Sequence, residues 1–349
     1  MAHERILVGL SGGVDSSVVA ARLVDAGHEV VGVYLKAWDD DAAIALRGAC
    51  PWRDDIADCR RIAAHLGIPF EVVDVRDAYR TRVVDALISE YAAGRTPNPD
   101  ILCNREMKFG FLLDLARELG YDAVATGHYA RIVDGELHRG ADPKKDQTYF
   151  LWQLRSADLP MIRFPLGAET KAVIRAEAQE RGLATAAKRD SQGICFLGPV
   201  DLRSFLVDAL HLAPGDVVTT DGKTVGRHQG AAAYTVGQRH GLGVWGGAGE
   251  TYYVVERDLR RNRLVVDTAP PTTTTLTARA LNWIGASPSV GDRIEARIRH
   301  GQVPQPCTVE ACNSEELELR FDEPQLAVAP GQSVVCSLGT HVLGGGLIA

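Results

Sequence analysis

Over about the first 130 positions, short continuous apolar runs alternate with segments in which apolar residues recur every three or four positions. The apolar runs predict strands at 6–10, 30–35, 70–75 and 122–126. The periodic segments predict a helix from residue 14 to Gly27 and further helices at 54–66, 79–91 and 105–119. Apolar strands that alternate with helices are typical of a parallel sheet covered on both faces. We therefore expect an α/β domain with a doubly wound parallel sheet.

After about residue 200 the helical pattern disappears. Residues 201–210 predict one short helix, and Gly and β-branched residues dominate after it. Pro270, Pro271 and the Thr run 272–275 suggest a linker. Beyond it, alternating segments at 292–298, 307–311, 317–321 and 333–338 have the spacing of strands in a small barrel. The expected domains are the α/β domain at 1–199, a small β-rich domain at 200–271 and a C-terminal β-barrel at 272–349.

The composition is that of an ordinary globular protein. In 349 residues, 46% are hydrophobic, and no apolar run reaches the ~18 residues that a membrane span needs. Residues 1–5 lead directly into the first predicted strand, so we expect no signal peptide. The seven cysteines are odd in number and include no C-x-x-C pair, which fits a reducing compartment and argues against a zinc ribbon. We expect a cytoplasmic protein with no membrane partner and no tightly bound metal or prosthetic group.

The charge is unevenly distributed along the chain. The net charge is −7, yet residues 139–189 and 223–263 each contain four more Lys and Arg than Asp and Glu. Basic blocks in an acidic protein are typical of a localised phosphate-binding face. Ordinary solvated helices would give the same counts, so the charge pattern alone leaves both interpretations open.

The segment Ser11-Gly12-Gly13-Val14-Asp15-Ser16 joins the first predicted strand to the first predicted helix. A strand that ends in a Gly-rich turn and opens onto a helix directs backbone N–H groups at an anion. The segment lacks the Lys of the common P-loop, and Asp15 is instead a candidate Mg²⁺ ligand. The pattern S-G-G-x-D-S resembles the PP-loop of the ATP pyrophosphatase superfamily, whose members adenylate a substrate and release pyrophosphate. A tight turn without a ligand is the alternative.

Two cysteines lie in distinctive surroundings. Cys103 follows the Pro-containing segment 96–102, and we expect Asn104 to cap a helix so that Cys103 lies beside the positive end of that helix. Such a position favours the thiolate. Cys195 lies 92 positions later, in the Gly-containing segment 191–196. For each, a small buried thiol is the alternative, and it is the interpretation that we keep for the other five cysteines.

Five motifs occur in the order S-G-G-V-D-S, T-P-N-P-D-I-L-C-N, A-T-G-H-Y-A-R, K-K-D-Q-T-Y-F-L and D-S-Q-G-I-C-F. Together they closely resemble the motifs of the tRNA-specific 2-thiouridylases (MnmA). The likeness continues at 234–239 and 330–333, so it covers essentially the whole chain. The PP-loop alone selects only a superfamily, whereas the two Cys motifs are much more specific.

The resemblance implies a two-stage reaction at C2 of the wobble uridine of tRNA. The uridine O2 would attack the α-phosphate of ATP and release pyrophosphate, and sulfur would then replace the adenylated oxygen as AMP leaves. Cys195 would carry a persulfide and Cys103 would be the catalytic nucleophile, and the two could close a disulfide. The implied partners are tRNA, with no DNA, and a sulfur-donor protein such as a cysteine desulfurase or a sulfur relay. Whether a hydrosulfide or the bound persulfide attacks C2 stays open.

The binding residues of the family carry over position by position. For ATP, with Mg²⁺ at Asp15, the resemblance implies Gly9, Leu10, Ser11, Gly12, Gly13, Val14, Asp15, Ser16, Leu35 and Gly127. For the target base it implies Asn98, Pro99 and Asp100, and for the remaining tRNA contacts it implies His128, Lys145, Asp146, Gln147, Arg299, His300 and Gln332. The family usually reads R-Y-R-Q where this chain has Arg299-His300-Gly301-Gln302, so an aromatic residue and an arginine are missing there.

Other interpretations remain at this stage. His128 could be a core histidine at a strand end, and Lys144 and Lys145 could form a solvated turn. The chain could also be another PP-loop enzyme that adenylates a different acceptor, for which a C-x-x-C pair or a leading glutaminase would be expected. A non-enzymatic ATP-binding module is a further alternative, but it would have no need of paired thiols.

Overall fold

The computed structural model describes residues 3–38, 51–189, 201–245 and 251–349. Five strands of the N-terminal half, numbered in chain order, are β1 (Arg5–Gly9), β2 (Glu29–Lys36), β3 (Phe70–Asp74), β4 (Ala123–Ala125) and β7 (Ile162–Arg163). They form one parallel sheet in the order β3-β2-β1-β4-β7. The four strands predicted from the apolar runs are confirmed. Strand β7 has only two residues, too few to produce a pattern.

The central strand of this sheet contributes to a core on each face, because successive side chains of a strand point in opposite directions. Leu7 packs with Val33 in one cluster of buried residues, whereas Ile6 and Val8 pack with Val30 in another. This arrangement explains why the strands are apolar throughout, and it confirms the doubly wound sheet.

Helices cover both faces. The face of Ile6 and Val8 is covered by α1 (Val14–Asp25), α2 (Pro51–Leu66) and α5 (Lys171–Glu180). The face of Leu7 is covered by two longer helices with a π-helical middle part: α3 (Arg76–Tyr79, Arg80–Val84, Asp85–Ala92) and α4 (Pro99–Cys103, Asn104–Phe111, Leu112–Glu118). None of the helices in the described residues combines the length and the apolar character that crossing a membrane requires.

The middle of the chain forms a small β-rich unit. Helix α6 (Leu202–Ala209) begins after Asp201, whose carboxylate accepts a hydrogen bond from the backbone N–H of Arg203. Four strands follow: β8 (Gly215–Thr219), β9 (Thr224–His228), β10 (Tyr253–Asp258) and β11 (Arg263–Asp267). They form a sheet in the order β10-β11-β8-β9, with Tyr234 and Leu264 in its core.

The C-terminal strands form a closed barrel. They are β12 (Thr272–Trp283), β13 (Arg293–Arg297), β14 (Gln305–Cys312), β15 (Glu316–Leu326), β16 (Ser333–Leu338) and β17 (His341–Ile348). The sheet closes because β12 pairs with both β15 and β17. The prediction of a linker at the Thr run was wrong: Thr272–Thr275 begin β12, and Thr272 pairs with Leu326. Because Thr is β-branched, it favours a strand over an irregular segment.

A hairpin from the N-terminal half extends the sheet of the barrel. Its strands are β5 (Ala130–Val133) and β6 (Glu136–Arg139), and β6 pairs with β17 through His138 and His341. The imidazole rings of these two histidines stack with centroids 5.3 Å apart. One hydrogen-bonded sheet therefore runs from the barrel into the N-terminal half.

A buried ion pair holds the same two parts together. The Arg297 guanidinium donates to the Asp146 carboxylate at 2.8 Å and to Thr148 Oγ1 at 2.9 Å, and the side chains of Arg297 and Asp146 are 6% and 2% exposed. Asp146 also accepts hydrogen bonds from Gly140 N and Thr148 Oγ1. Because nearly every polar atom of the pair has a partner, the pair satisfies the main requirement for burying charge.

We expect Asp146→Asn to lower the free energy of unfolding by about 3–5 kcal/mol, because it leaves the Arg297 charge buried without its counter-ion. Urea unfolding followed by circular dichroism measures the change. The matched control is Asp322→Asn, which breaks the exposed Arg293–Asp322 pair and should cost only about 0–1 kcal/mol. Equal losses in the two variants would contradict the assignment.

Candidate active site

The turn between β1 and α1 is a bare cradle of backbone N–H groups. Gly13 occupies the N-cap position of α1, and within the described ranges no side chain makes a capping hydrogen bond to the first turn. These groups carry the positive end of the helix dipole. Gly12 has a φ of +69°, and a Cβ there would lie 2.7 Å from the Asp55 carbonyl oxygen. The backbone of α2 therefore supports the turn on one side, and N–H groups at the start of a helix are suited to binding an anion.

Hydroxyl groups brace the cradle from within. Ser16 Oγ lies 3.2 Å from both Ser11 N and Gly13 O, and Ser17 Oγ donates to Gly13 O at 2.8 Å. Ser16 and Ser17 are buried, whereas Ser11 is exposed. Of the serines named, Ser11 is thus the one placed to meet a ligand with its side chain.

Asp15 has a cationic partner that sequence reasoning missed. Lys171 Nζ donates to both carboxylate oxygens of Asp15 at 2.7 and 2.8 Å, and Tyr129 OH donates to one of them at 2.9 Å. Lys171 is the first residue of α5 and comes from 156 positions along the chain. It brings a positive charge next to the turn between β1 and α1, which has no lysine of its own.

A second missed lysine ties the cradle to α2. Lys188 Nζ donates to Gly12 O at 2.9 Å and to the carboxylates of Asp55 and Asp58 at 2.7 Å each. Burial alone would lower the pKa of Lys188, but the two carboxylates raise it above its ordinary value. Burial raises the pKa of Asp55, an effect that Lys188 opposes. Lys188 therefore stays charged and links the Gly12 carbonyl to the two carboxylates of α2.

The remaining residues predicted for ATP lie at the same sheet edge. Leu10 continues the ladder between β1 and β2 by donating to Val33 O at 2.8 Å, and Leu35 lies near the end of β2. A Cβ on Gly127 would lie 2.9 Å from the Asp15 Cβ and 3.1 Å from Ser16 N. The segment 11–16 and Gly127 therefore lie together at the carboxyl ends of the strands, where parallel sheets bind ligands.

His128 lies inside the protein and links this edge to the Cys103 helix. Its Nδ1 is 2.8 Å from Thr126 Oγ1, and its Nε2 is 3.1 Å from Asn104 Oδ1. Its ring packs against Phe109 and Phe164. Burial, with a further effect of Lys108, holds the pKa of His128 well below its ordinary value. The imidazole is therefore neutral and positions Asn104; an RNA contact by His128 stays a prediction.

Cys103 lies one turn inside a helix and not at its start. Asn98 is the N-cap of α4, since its Oδ1 accepts the N–H groups of Asp100 and Ile101 at 3.0 and 3.3 Å, and Pro99 occupies the first helical position. The expectation that Asn104 caps the helix was therefore wrong, because Asn98 and Pro99 together start the helix six residues earlier. The Cys103 side chain is fully buried. Cys195 lies outside the described residues.

The predicted tRNA contacts fall into two groups. The Gln147 side chain accepts a hydrogen bond from Tyr129 N, Asp146 is buried in the ion pair with Arg297, and Gln332 donates to Thr96 O at 2.7 Å. These three side chains make contacts within the protein. Lys145 is partly buried, whereas Arg299 and His300 are exposed.

The barrel brings two of these segments together. The His300 ring lies 4.4 Å from the Phe150 ring, and Arg299 donates to Ala327 O at 2.9 Å. Segments 145–150 and 297–300 thus form one surface at the junction of the catalytic half and the barrel. In the described residues no group of three or more His, Cys, Asp and Glu side chains could hold a metal ion.

Comparison with known proteins adds independent evidence. Three family models match in order: the tRNA methyl transferase HUP domain at residues 4–199, the tRNA methyl transferase PRC-barrel domain at 203–268 and the aminomethyltransferase β-barrel domain at 273–348. The chain is 47% identical to the tRNA-specific 2-thiouridylase MnmA of Akkermansia muciniphila, with 98% of each chain covered. The chain belongs to the MnmA family.

Other members of the family match equally broadly. The chain is 45% identical to the tRNA-specific 2-thiouridylase MnmA 2 of Geobacillus kaustophilus, over 99% of this chain and 95% of that protein. It is 43% identical to the tRNA-specific 2-thiouridylase MnmA of Bacillus subtilis, over 99% of this chain and 94% of that protein. The resemblance inferred from the five motifs is confirmed, and the chain is an enzyme of the sulfurtransferase class.

We expect Gly12→Ala to weaken ATP binding at least about tenfold, or roughly 1.4 kcal/mol. The added methyl would meet the Asp55 backbone and move the cradle. Calorimetric titration with a non-hydrolysable ATP analogue measures the affinity. The matched control is Gly27→Ala, since Gly27 also has a positive φ, +81°, but open space around it. An unchanged affinity in Gly12→Ala would contradict the proposed cradle.

The neutral His128 predicts a dependence of stability on pH. The unfolded chain binds a proton at this residue below about pH 6.5, whereas the folded chain does not, so stability falls as pH drops through that value. The slope for one such proton is about 1.4 kcal/mol per pH unit. In His128→Gln, urea unfolding at pH 7.5 and 5.5 should therefore show a smaller loss than in the wild type. The same loss in both proteins would mean that His128 does not titrate this way.

Proposed function

We propose that this protein catalyses the ATP-dependent 2-thiolation of the wobble uridine of tRNA. The observation that carries the proposal is the bare phosphate cradle at Gly12 and Gly13, which shares a sheet edge with the helix that carries Cys103. The names of the relatives support the substrate, because they are described as tRNA-specific 2-thiouridylases.

In the first stage the cradle would bind the phosphates of ATP. As the uridine O2 attacks the α-phosphate, negative charge would develop on the departing pyrophosphate. This charge would be stabilised by the N–H groups of α1, the Ser11 hydroxyl and the Lys171 ammonium. Mg²⁺ bound with ATP would be held at Asp15, whose carboxylate oxygens are ligands that this ion prefers. Since Lys171 already pairs with Asp15, binding of the ion and ATP would redirect the Lys171 ammonium towards the phosphates.

In the second stage sulfur would replace the activated oxygen at C2. The terminal sulfur of a Cys195 persulfide would form the bond to C2, the bond from C2 to the adenylated oxygen would break, and AMP would leave. The Cys103 thiolate would then attack the Cys195 sulfur and break its bond to the transferred sulfur, which stays on C2, and the resulting Cys103–Cys195 disulfide would be reduced by an external dithiol. In the variant route, Cys103 first releases the terminal sulfur as hydrosulfide, which then attacks C2. Both routes require the two cysteines and a donor of persulfide sulfur; free sulfide cannot load Cys195 without an oxidant, so the tests below of the two cysteines use a cysteine desulfurase as the donor.

The tRNA must present its base outside the anticodon stack, which costs free energy that contacts elsewhere offset. We propose that Asn98, Pro99 and Asp100 bind the extruded base beside Cys103. The exposed Arg299 and His300 and the partly buried Lys145 would bind the anticodon arm. Asp146, Gln147, His128 and Gln332 would shape this surface from within, given their internal hydrogen bonds.

The decisive experiment is nucleoside mass spectrometry of tRNA after incubation with the full chain, Mg-ATP and sulfide or a cysteine desulfurase. We expect one sulfur-for-oxygen exchange at the wobble uridine, dependent on ATP. Adenylation of another acceptor would point to a different PP-loop enzyme. Binding of ATP with no covalent product on tRNA would instead point to a binding module.

We expect Cys103→Ser and Cys195→Ser each to abolish thiolation while ATP binding stays within about twofold of the wild type, because neither thiol takes part in the phosphate cradle. The matched control is Cys312→Ser in β14, which should keep full activity. The same mass-spectrometric assay gives the readout. Full sulfur transfer by Cys103→Ser would exclude the two-thiol mechanism.

A further inference from the structure

Arg257 reaches from the middle unit into the catalytic half. Its Nη2 donates to the carbonyl of Gly94 at 2.5 Å, and its Nη1 donates to the carbonyl of Tyr234 at 2.8 Å. The side chain is half-buried, and burial lowers the pKa of Arg257. Among the described residues it pairs with no carboxylate. The guanidinium therefore serves two backbone carbonyls, and such charge-assisted bonds are strong and directional.

The barrel holds the next residues of the same segment. Thr96 is 4% exposed, its N–H donates to Pro330 O at 2.8 Å, and its carbonyl accepts from Gln332 at 2.7 Å. Gly331 has a φ of +87°, and a Cβ on it would lie 2.6 Å from Thr96 N. The segment 94–96 thus lies between Arg257 on one side and the turn 330–332 on the other.

What holds this segment also determines where the following helix begins. Pro97 and Pro99 restrict the backbone on both sides of Asn98, the N-cap of α4. Cys103 follows in the first turns of that helix and is completely buried. Because the backbone between Gly94 and α4 has little conformational freedom, a displacement of Gly94 would also displace the Cys103 thiol.

We propose that Arg257 is a positioning residue for Cys103 and for the target-base loop 98–100. Arg257 belongs to the β-rich middle unit and the turn 330–332 belongs to the barrel. The position of the Cys103 thiol therefore depends on how both of these units pack against the segment 94–96. The catalytic consequence rests on the proposed function; the structural consequence does not. Arg257 would take no direct part in ATP binding or in sulfur transfer. It would act through its hydrogen bond to Gly94 in the segment 94–96.

The first test measures the exposure of Cys103 without any reaction on tRNA. In Arg257→Gln, we expect iodoacetamide to alkylate Cys103 about tenfold faster than in the wild type, because the segment opens locally more often. Peptide mass spectrometry separates Cys103 from Cys307 and Cys336, which are buried in the barrel and report global unfolding. Arg260→Gln in the turn after β10 is the matched control. An unchanged rate at Cys103, or an equal rise at all three thiols, would overturn the proposal.

The second test separates positioning from binding. Since a misplacement of about 1 Å can cost about 100-fold in rate, kcat for thiolation should fall by that order in Arg257→Gln, while the affinity for ATP stays unchanged. Arg257→Lys should recover part of the loss, because an ammonium can reach one of the two carbonyls. Unchanged kcat in Arg257→Gln would overturn the proposal. A wild-type enzyme without thiolation activity would instead overturn the proposed function and leave the alkylation test in force.

The structure also offers a rescue experiment. A cavity of about 460 Å³ lies beside Arg257, lined by Gly94, Leu259 and Pro330 among others. In Arg257→Ala, we expect millimolar guanidinium to enter this space and restore part of kcat and the slow alkylation of Cys103. Tetramethylammonium, which has no N–H donor, should not. Equal effects of the two cations would show that the hydrogen bonds to the carbonyls of Gly94 and Tyr234 do not determine the position of Cys103.

Discussion

The site depends on a close approach of backbones around the turn between β1 and α1. An anion can be bound by main-chain N–H groups only where no side chain occupies the space and the groups are still held in place. Here the support comes from behind, where the backbone at Asp55 and the residue Gly127 both press against the turn. Lys171 and Lys188 supply positive charge from distant parts of the chain, each already paired with carboxylates. The backbone at Asp55 and Gly127 thus holds the turn in place, while the N–H groups of the turn itself are the atoms suited to binding an anion.

The sequence predicted those elements whose pattern arises from local burial. Strand β1 is apolar on both sides because it lies between two layers of helices, and such a run is visible without any partner. The cradle was predictable for the same reason, since glycine, serine and aspartate stand in an unbroken segment. The Thr run was misjudged because its partner, Leu326 in β15, lies 54 positions away, and without it a strand and a linker look alike.

The parts of the site that could not be predicted from the sequence are mainly those formed by residues far apart in the chain. Lys171 and Lys188 resemble ordinary surface lysines until folding brings them 156 and 176 positions back to Asp15 and Gly12. The N-cap at Asn98 was a local error: Asn98 and Asn104 are both good caps, and the proline after Asn98 decides between them. Asp146 was predicted to face RNA, whereas its carboxylate is engaged inside the protein by Gly140, by Thr148 and by Arg297 of the barrel.

The hairpin β5–β6 has a consequence for how this architecture can evolve and be dissected. Because β6 is hydrogen-bonded to β17, deleting the barrel would uncover the edge of β6, and an uncovered edge is a template for pairing with other chains. The same deletion would remove Arg297, the nearer of the two arginines that pair with the Asp146 carboxylate. The N-terminal half is therefore not a free-standing module. It is one portion of a continuous fold, and a fragment ending before β12 would be prone to self-association.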